Sequence, residues 1–217
     1  MKTIVTLDLA DQAYGFPQLD GSGNLQATGS LHGTASYAEN GIKYKVYTAL
    51  LTQTGGSDIQ NISSGAVTQG VTYQIDGADG ASDFSNVGGP PIGTGDGTFF
   101  VATNSDVPND YGAANLIYNN GAPVVTVLEN TIGNIWFTYN GQGQYHANSN
   151  NLFSDNKVYL TLNQLTQNIA DNEPFIYSIS RNDTNIISLQ TFILHNNHCN
   201  IKNDSLFNTP IEIRVYN

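Results

Sequence analysis

The stretch Ile42-Lys43-Tyr44-Lys45-Val46-Tyr47-Thr48-Ala49-Leu50-Leu51-Thr52 has a period of two. Alternation of this kind, rich in β-branched and aromatic residues, predicts a half-buried strand. The two predicted faces carry Ile42, Tyr44, Val46 and Thr48 on one side, and Lys43, Lys45 and Tyr47 on the other. Asn40-Gly41 precedes the stretch and is typical of a tight turn. The main domain is therefore expected to begin at this strand.

A second segment of equal quality, Pro123–Glu129, comes some seventy positions later along the chain, after a region rich in Gly, Ser and Asp. We interpret the two segments as parts of one discontinuous β-domain, residues 41–52 plus 122–217. Residues 53–121 are then a small β-module inserted at a hairpin end of that domain. This organisation predicts that a chain joining Gln53 directly to Ala122 still folds.

The composition indicates an all-β protein. Charged residues make up only 12% of the chain, so solvated strand faces must be covered by hydroxyls and amides instead. Short apolar runs separated by Gly and Asn turns, without a convincing amphipathic helix, are typical of a sandwich or barrel. We expect an immunoglobulin-like or jelly-roll-like β-sandwich. The further predicted strands are Val71–Ile75, Thr98–Ala102, Asn115–Tyr118, Ile135–Tyr139, Gln144–Ala147, Lys157–Leu162, Phe175–Ser180, Ile186–Leu194 and Pro210–Tyr216.

Alternation within these strands also predicts the core. On Ile186–Leu194 the inward side is expected to carry Ile187, Leu189, Thr191 and Ile193. The predicted core as a whole comprises Val46, Leu50, Val125, Val127, Trp136, Tyr159, Leu162, Ile187, Leu189, Ile211, Ile213 and Val215.

Residues 1–40 differ from the rest of the chain. Apolar residues are sparse there, and Gly15, Gly21, Gly23, Gly29 and Gly33 interrupt any continuous element. Such a segment gains little from its own packing, against about 1–2 kcal/mol of entropy for each ordered backbone residue. We expect an extended N-terminal arm that is ordered by a neighbouring subunit. The alternative is a loop-rich start of the main domain.

Charge and cysteine content exclude several classes of partner. The net charge is −11 and the seven Lys and Arg residues are scattered, so no basic patch is expected to bind nucleic acid. No apolar run is long enough to cross a membrane, and the N-terminus lacks the apolar core of a signal peptide. Cys199 is the only cysteine, which rules out an intrachain disulfide.

Three groups of residues resemble parts of metal sites. His195-Asn196-Asn197-His198-Cys199 brings two imidazoles and a thiol together, but a structural zinc site needs a fourth ligand. A polar loop with Cys199 turned into the interior is the alternative. Asp76, Asp79 and Asp83 are candidate calcium ligands or, alternatively, turn residues. Asp20–Asn24 begins like a calcium loop but lacks the bidentate Glu. We predict no metal and no cofactor.

No catalytic motif is present. The Gly93–Gly97 loop has no following helix to cradle a phosphate, and no nucleophile-elbow pattern occurs. His32 and His146 are expected at the surface. A spatial pair of carboxylates acting on sugars stays open, yet we predict that the chain is not an enzyme. Exposed tyrosines are an alternative source of function, stacking on glycans or protein partners: Tyr37, Tyr44, Tyr47, Tyr111, Tyr118, Tyr139, Tyr145 and Tyr216.

Three stretches, Tyr44–Gln53, Ala122–Gly133 and Leu206–Tyr216, together resemble a β-domain that recurs in structural proteins of tailed bacteriophages. The resemblance is strongest to the crAss-like phages of gut Bacteroidales. In that pattern Leu-Leu-Thr-Gln leads almost directly to Pro-Val-Val-Thr-Val-Leu-Glu-Asn-Thr, whereas here the two are separated.

The separating segment resembles a second small module of phage structural proteins. The likeness lies in Gly70–Ile75, Asp83–Gly88 and Gly97–Thr103. Together the two resemblances imply a non-enzymatic virion protein, an auxiliary or decoration protein or a head-fibre component on the capsid exterior. They imply other virion proteins as partners, either the major capsid protein or fibre subunits, and self-association. A tail or neck protein, or an adhesion module that binds host surface glycans, is the alternative.

Overall fold

The computed structural model describes residues 18–19, 25–26, 44–162, 175–195, 198–203 and 205–216. These residues form strands, turns and one short 3₁₀ turn at Ser85–Val87, with no α-helix among them. The all-β class predicted from the sequence is therefore confirmed. The predicted arm, residues 1–40, lies almost entirely outside the described residues. Two short strands within it, β1 and β2, pair antiparallel in a unit separate from the rest of the chain.

The strands in chain order are β1 (Gln18–Leu19), β2 (Leu25–Gln26), β3 (Tyr44–Thr52), β4 (Ile59–Ile62), β5 (Thr72–Asp76), β6 (Phe99–Val101), β7 (Asn115–Asn119), β8 (Val124–Asn130), β9 (Ile135–Gly141), β10 (Gln144–Ser149), β11 (Val158–Leu162), β12 (Phe175–Arg181), β13 (Ile186–His195), β14 (His198–Ile201) and β15 (Thr209–Tyr216). Every strand predicted within the described residues is present, whereas β1, β2, β4 and β14 were missed. β4 was missed because Ile59-Gln60-Asn61-Ile62 has too little apolar character to stand out.

Apart from the β1–β2 pair, the described strands form three antiparallel sheets. The first sheet has the order β11-β15-β3-β8, and the second has β12-β13-β10-β9 with β14 added beside β13. The third sheet has the order β4-β7-β5-β6. Strands β3 and β8, separated in the chain by the whole third sheet, are direct neighbours in the first.

The first and second sheets pack face to face and share one apolar core, which makes them a β-sandwich. Each sheet contributes the inward side chains of its central strands. The fully buried aromatic side chains of this core are Tyr47, Phe137, Tyr145 and Phe153. Since Phe137 has no exposed surface, truncating it to Ala removes about 3–5 kcal/mol of stability. The predicted β-sandwich is confirmed.

The inward face of β3 is the opposite of the predicted one. Tyr47, Ala49 and Leu51 are buried in the sandwich core, while Thr48 and Leu50 are only half-buried. Val46 is also buried, and its N–H donates to Oγ1 of Thr131 at 2.7 Å. The register with β8 shifts between Thr48 and Ala49, as at a β-bulge. Glu129 lies opposite Thr48 and Val127 opposite Ala49, so the extra residue of the bulge is Leu128 of β8, and β3 keeps its alternation through Tyr47, Ala49 and Leu51. The error is in the choice between the two faces of β3, both of which carry apolar residues.

Besides Leu50, three predicted core residues lie outside the buried core. Val127 is 45% exposed because β8 is an edge strand whose far half is solvated. Tyr159, 49% exposed, lies on the outer face of the first sheet. Trp136 is only half-buried, since Ile135 and Phe137 on either side of it point into the core. In contrast, the predicted inward face of β13 is correct, with Ile187, Leu189, Thr191 and Ile193 all buried.

The third sheet has an apolar cluster of its own, separate from that of the sandwich. Tyr73, Phe84 and Phe100 form its aromatic centre, with centroid distances of 5.8 Å between Tyr73 and Phe100 and 6.1 Å between Phe84 and Phe100. Even so, residues 43–217 form one compact unit. The predicted division into a discontinuous sandwich and an inserted module therefore stays a prediction, with which the sheet order and the separate clusters agree.

Candidate functional site

The third sheet docks against the open edge of the second sheet, strand β9. The backbone N–H of Phe137 donates to Oγ1 of Thr72 at 3.1 Å, and Nδ2 of Asn134 donates to the carbonyl oxygen of Phe99 at 3.0 Å. An uncovered edge strand leaves backbone groups free to pair with other chains. The third sheet thus satisfies a buried donor of β9 and covers part of that edge.

A second anchor joins the third sheet to the first. The N–H of Val125 donates to the carbonyl oxygen of Gly70 at 2.9 Å, and the N–H of Gly70 donates to the carbonyl of Ala102 at 2.8 Å. Gly70 has a positive φ of +81°, which favours glycine, and a Cβ there would collide with the carbonyl of Val125. Close approach of the two sheets at this point therefore requires a residue without a side chain.

A cleft of about 580 Å³ opens where Asn134 contacts Phe99, and we call it the aromatic cleft. The third sheet contributes Thr98 and Phe99 to its lining, and the sandwich contributes Asn134, Trp136 and Asn150. The remaining lining residues are glycines, a proline and a phenylalanine, so no charged side chain lines it. Its volume lies within the range of small-molecule sites.

Two rings form the apolar part of the aromatic cleft. Phe99 of β6 and Trp136 of β9 are stacked with their centroids 5.6 Å apart and their planes within 6° of parallel. Stacked aromatic rings at such a distance are offset, which leaves part of each ring face uncovered. Both side chains are half-buried rather than fully enclosed. Trp136 was predicted as core, and its actual position follows from the docking of the third sheet on β9.

The polar groups of the aromatic cleft are mainly amides. Nδ2 of Asn134 is engaged with Phe99, which leaves its Oδ1 as an acceptor. Asn150 is exposed, and its side chain makes no hydrogen bond within the described part of the chain. The indole N–H of Trp136 also has no hydrogen bond there, yet it is not among the buried unsatisfied atoms, so it reaches solvent. Donors and acceptors therefore flank the stacked rings.

The predicted stacking tyrosines fall into three groups. Tyr47 and Tyr145 are fully buried, so their assignment to the exposed set is wrong. Tyr111, Tyr118 and Tyr139 are half-buried. Their rings contact Phe84, Tyr73 and Tyr145, with centroid distances of 5.7, 5.2 and 6.1 Å, respectively. Tyr37 lies outside the described residues.

The outer face of the first sheet carries the remaining predicted tyrosines. Tyr44 and Tyr216 are cross-strand neighbours with ring centroids 5.4 Å apart. The guanidinium of Arg214 lies 4.8 Å from the centroid of Tyr44 and 5.4 Å from that of Tyr159. Arg214 is held in turn by Glu212, and this partner raises the pKa of its guanidinium. These rings are thus engaged with a cation.

The His–Cys cluster is placed on a hairpin rather than in a loop. β13 and β14 are antiparallel, with His195 opposite His198 and Leu194 opposite Cys199. Cys199 is exposed, so the expectation that it turns into the interior is wrong. Among the described residues no group of three or more His, Cys, Asp or Glu side chains is placed to hold a metal ion. The position of the His195 side chain lies outside the described part.

The aspartates of the third sheet serve its turns. Oδ1 of Asp79 accepts hydrogen bonds from the N–H of Ala81 and from the N–H and hydroxyl of Ser82, which lower the pKa of its carboxyl. Asp83 accepts from the N–H and the hydroxyl of Ser85, at 3.0 and 2.7 Å, and its pKa is lowered likewise. Charge-assisted hydrogen bonds of this kind stabilise Asx turns. The turn interpretation of these aspartates is the one that the hydrogen bonds favour.

The remaining residues singled out in the sequence lie in a glycine-rich loop, on β10 or outside the described part. In the Gly93–Gly97 loop, Oδ1 of Asp96 accepts from the N–H groups of Gly77 and Ala78, so the loop closes on the third sheet. His146 is half-buried on β10 and burial lowers its pKa. Residues 20–24 and His32 lie outside the described part. No helix within the described residues is long and apolar enough to span a membrane.

Comparisons with known proteins give no match, whether with protein-family models, with curated proteins or with solved structures. The resemblance to phage structural proteins therefore stays a prediction. The aromatic cleft combines accessible ring surface with amide groups, and it is the candidate binding site.

Proposed function

We propose that this chain is a non-enzymatic structural protein of a tailed-phage virion, an auxiliary, decoration or head-fibre component on the outside of the capsid. The main support for the proposal is the position of the resembling stretches in the fold. The three stretches that resemble one phage β-domain contain β3, β8 and β15, and these strands are adjacent in the order β15-β3-β8 of the first sheet. Stretches with a common origin in one domain are expected to share a sheet.

The second resemblance gives independent support. Its three stretches contain β5, the 3₁₀ turn at Ser85–Val87 and β6, and all three belong to the third sheet and its apolar cluster. The N–H of Thr103 donates to the carbonyl of Val87 at 3.0 Å, which ties the turn to the end of β6. The two resemblances thus map onto two different sheets, as two modules would.

Detection of the chain in particles tests the proposal. Virions are purified from lysates in which the chain is expressed, and the chain is identified by mass spectrometry and located by immunogold labelling. We expect stoichiometric incorporation with label on the head. Label on the tail or neck would favour the alternative virion position, and absence of the chain from purified particles would overturn the proposal.

The role of residues 1–40 is tested separately. A chain lacking them is compared with the full chain for incorporation, and full-length Asn150→Ala serves as a control because Asn150 is an exposed side chain of the aromatic cleft. We expect the truncated chain to be lost from particles and the control to be retained. Normal incorporation of the truncated chain would refute the docking role of the arm while leaving the virion assignment intact.

A further inference from the structure

We propose that the aromatic cleft binds a neutral saccharide, with the rings of Trp136 and Phe99 as its platform. The inference is independent of the virion assignment. It concerns one cleft between the third sheet and β9, and it differs from the sequence-based idea that exposed tyrosines contact glycans.

The first argument is the apolar platform. The C–H face of a pyranose packs on a flat aromatic surface, and indole offers the largest such surface among side chains. The rings of Trp136 and Phe99 are stacked with planes within 6° of parallel, and their offset leaves ring area open. Docking of the third sheet on β9 through Asn134 and Thr72 holds both rings in place. A platform fixed in advance costs little conformational entropy when a ligand binds.

The second argument is the set of polar groups around that platform. Sugar hydroxyls are donors and acceptors at once, and side-chain amides match both roles. Oδ1 of Asn134, the amide of Asn150 and the indole N–H of Trp136 are unused by the described part of the chain and border the same cleft. The hydroxyl oxygen of Thr98, which donates to the carbonyl of Gly95 at 2.6 Å, keeps its capacity to accept.

The third argument is charge. No ionised side chain lines the cleft, and the chain as a whole carries a net charge of −11. A phosphate or carboxylate ligand would be repelled and would find no cationic partner. A nucleotide is disfavoured for the same reason, although its base would stack. A neutral oligosaccharide carries no charge, so the negative potential of the protein does not oppose its binding.

The exposed tyrosines are weaker candidates. Tyr44 and Tyr159 contact the guanidinium of Arg214, so a sugar would have to displace a cation from their rings. Trp136 has no such competitor among the described residues. The choice of the aromatic cleft over the outer face of the first sheet follows from this difference.

Trp136 is the only tryptophan of the chain, so its fluorescence reports on the aromatic cleft alone. The full-length protein is titrated with maltohexaose, cellohexaose and mannohexaose, with oligogalacturonate as an anionic comparison, and binding is confirmed by calorimetry. We expect at least one neutral hexaose to change the emission saturably and oligogalacturonate to leave it unchanged. Absence of binding by all three neutral hexaoses in both assays would overturn the proposal, as would tighter binding of the anionic one.

Variants locate the binding. Asn150→Ala removes an exposed amide from the cleft without breaking an internal hydrogen bond, and we expect about tenfold weaker binding. Asn140→Ala is the matched control, because Asn140 is an exposed asparagine of β9 that does not line the cleft. It is expected to bind as the unmodified chain does. Equal affinity of both variants, or loss of binding in Tyr216→Ala instead, would place the saccharide elsewhere and refute the assignment to this cleft.

Discussion

Two buried tyrosines differ in the hydrogen bonding of their hydroxyl groups, and the same substitution at both positions tests the packing of the core. Tyr47 and Tyr145 lie in the same apolar core and are 1% and 0% exposed. The hydroxyl of Tyr145 donates to Oε1 of Gln53 at 2.7 Å, and Gln53 is itself 1% exposed. The hydroxyl of Tyr47 is buried and has no hydrogen-bond partner within the described part of the chain. Burial raises the pKa of Tyr47, as expected for a phenol that cannot ionise there.

The expected changes in unfolding free energy have opposite signs. An unpartnered buried hydroxyl costs about 1–3 kcal/mol in protein interiors, so Tyr47→Phe is expected to stabilise the protein by about 1 kcal/mol or more. Tyr145→Phe removes the buried hydrogen bond to Oε1 of Gln53, which costs about 1–2 kcal/mol. The two variants, chemically the same substitution, should therefore differ by about 2–3 kcal/mol.

Urea denaturation followed by Trp136 fluorescence and by far-ultraviolet circular dichroism measures both values. The dependence of the free energy on urea is expected to be unchanged, because neither substitution alters the surface exposed on unfolding. Equal destabilisation by both substitutions would show that the Tyr47 hydroxyl is bonded and would refute the reasoning. An unchanged stability of Tyr145→Phe would show that the bond to Gln53 contributes nothing.

Three further predictions concern the joints and turns of the third sheet. Gly70→Ala is expected to cost about 1–3 kcal/mol more than Gly65→Ala in urea denaturation. Both glycines have a positive φ, but only at Gly70 would a Cβ meet backbone, whereas nothing lies within 4 Å at Gly65. Equal costs would contradict the close approach of the sheets. Asp83→Asn is expected to lower the free energy of unfolding at neutral pH and to have no effect in acid. The pKa of the Asp83 carboxyl is lowered in the folded state, so its stabilising contribution is complete above the ordinary pKa of 3.8 and is lost as the pH falls through the folded pKa. A destabilisation that does not depend on pH would contradict this. A chain joining Gln53 to Ala122 should fold cooperatively by circular dichroism but self-associate in gel filtration, because the edge of β9 loses its cover; non-cooperative unfolding would contradict the nested organisation.

Much of the secondary structure could be predicted because local alternation carries it. β13 is the clearest case, since burial alternates over residues 186–194 and its inward side chains were correctly predicted. β14 was missed because His198-Cys199-Asn200-Ile201 is polar and fully exposed, and it forms only by pairing with the end of β13. A strand that depends on its neighbour rather than on its own apolar face leaves little trace in the sequence.

The aromatic cleft could not be predicted from the sequence for a different reason. Asn134 and Trp136 lie just before and within β9 of the second sheet, whereas Thr98 and Phe99 lie just before and within β6 of the third, and neither pair forms a motif with the other. Trp136 stood out in the sequence, but its strong apolar character pointed to the core. A signal that was available and not used is the alternation Ile135-Trp136-Phe137, in which the neighbours of Trp136 are themselves large and apolar.

The strand positions and the all-β class could therefore be predicted from the sequence, because alternation and turn residues depend only on residues close together in the chain. The inward face of β3 was not, because both of its faces carry apolar residues and packing against the second sheet decides which of them is buried. Neither was the partner of each buried hydroxyl, since Tyr145 meets Gln53 across 92 positions. The exposure of Trp136 depends on which sheet covers the edge of β9. These properties arise from contacts between distant segments, and it is the packing of three sheets that sets them.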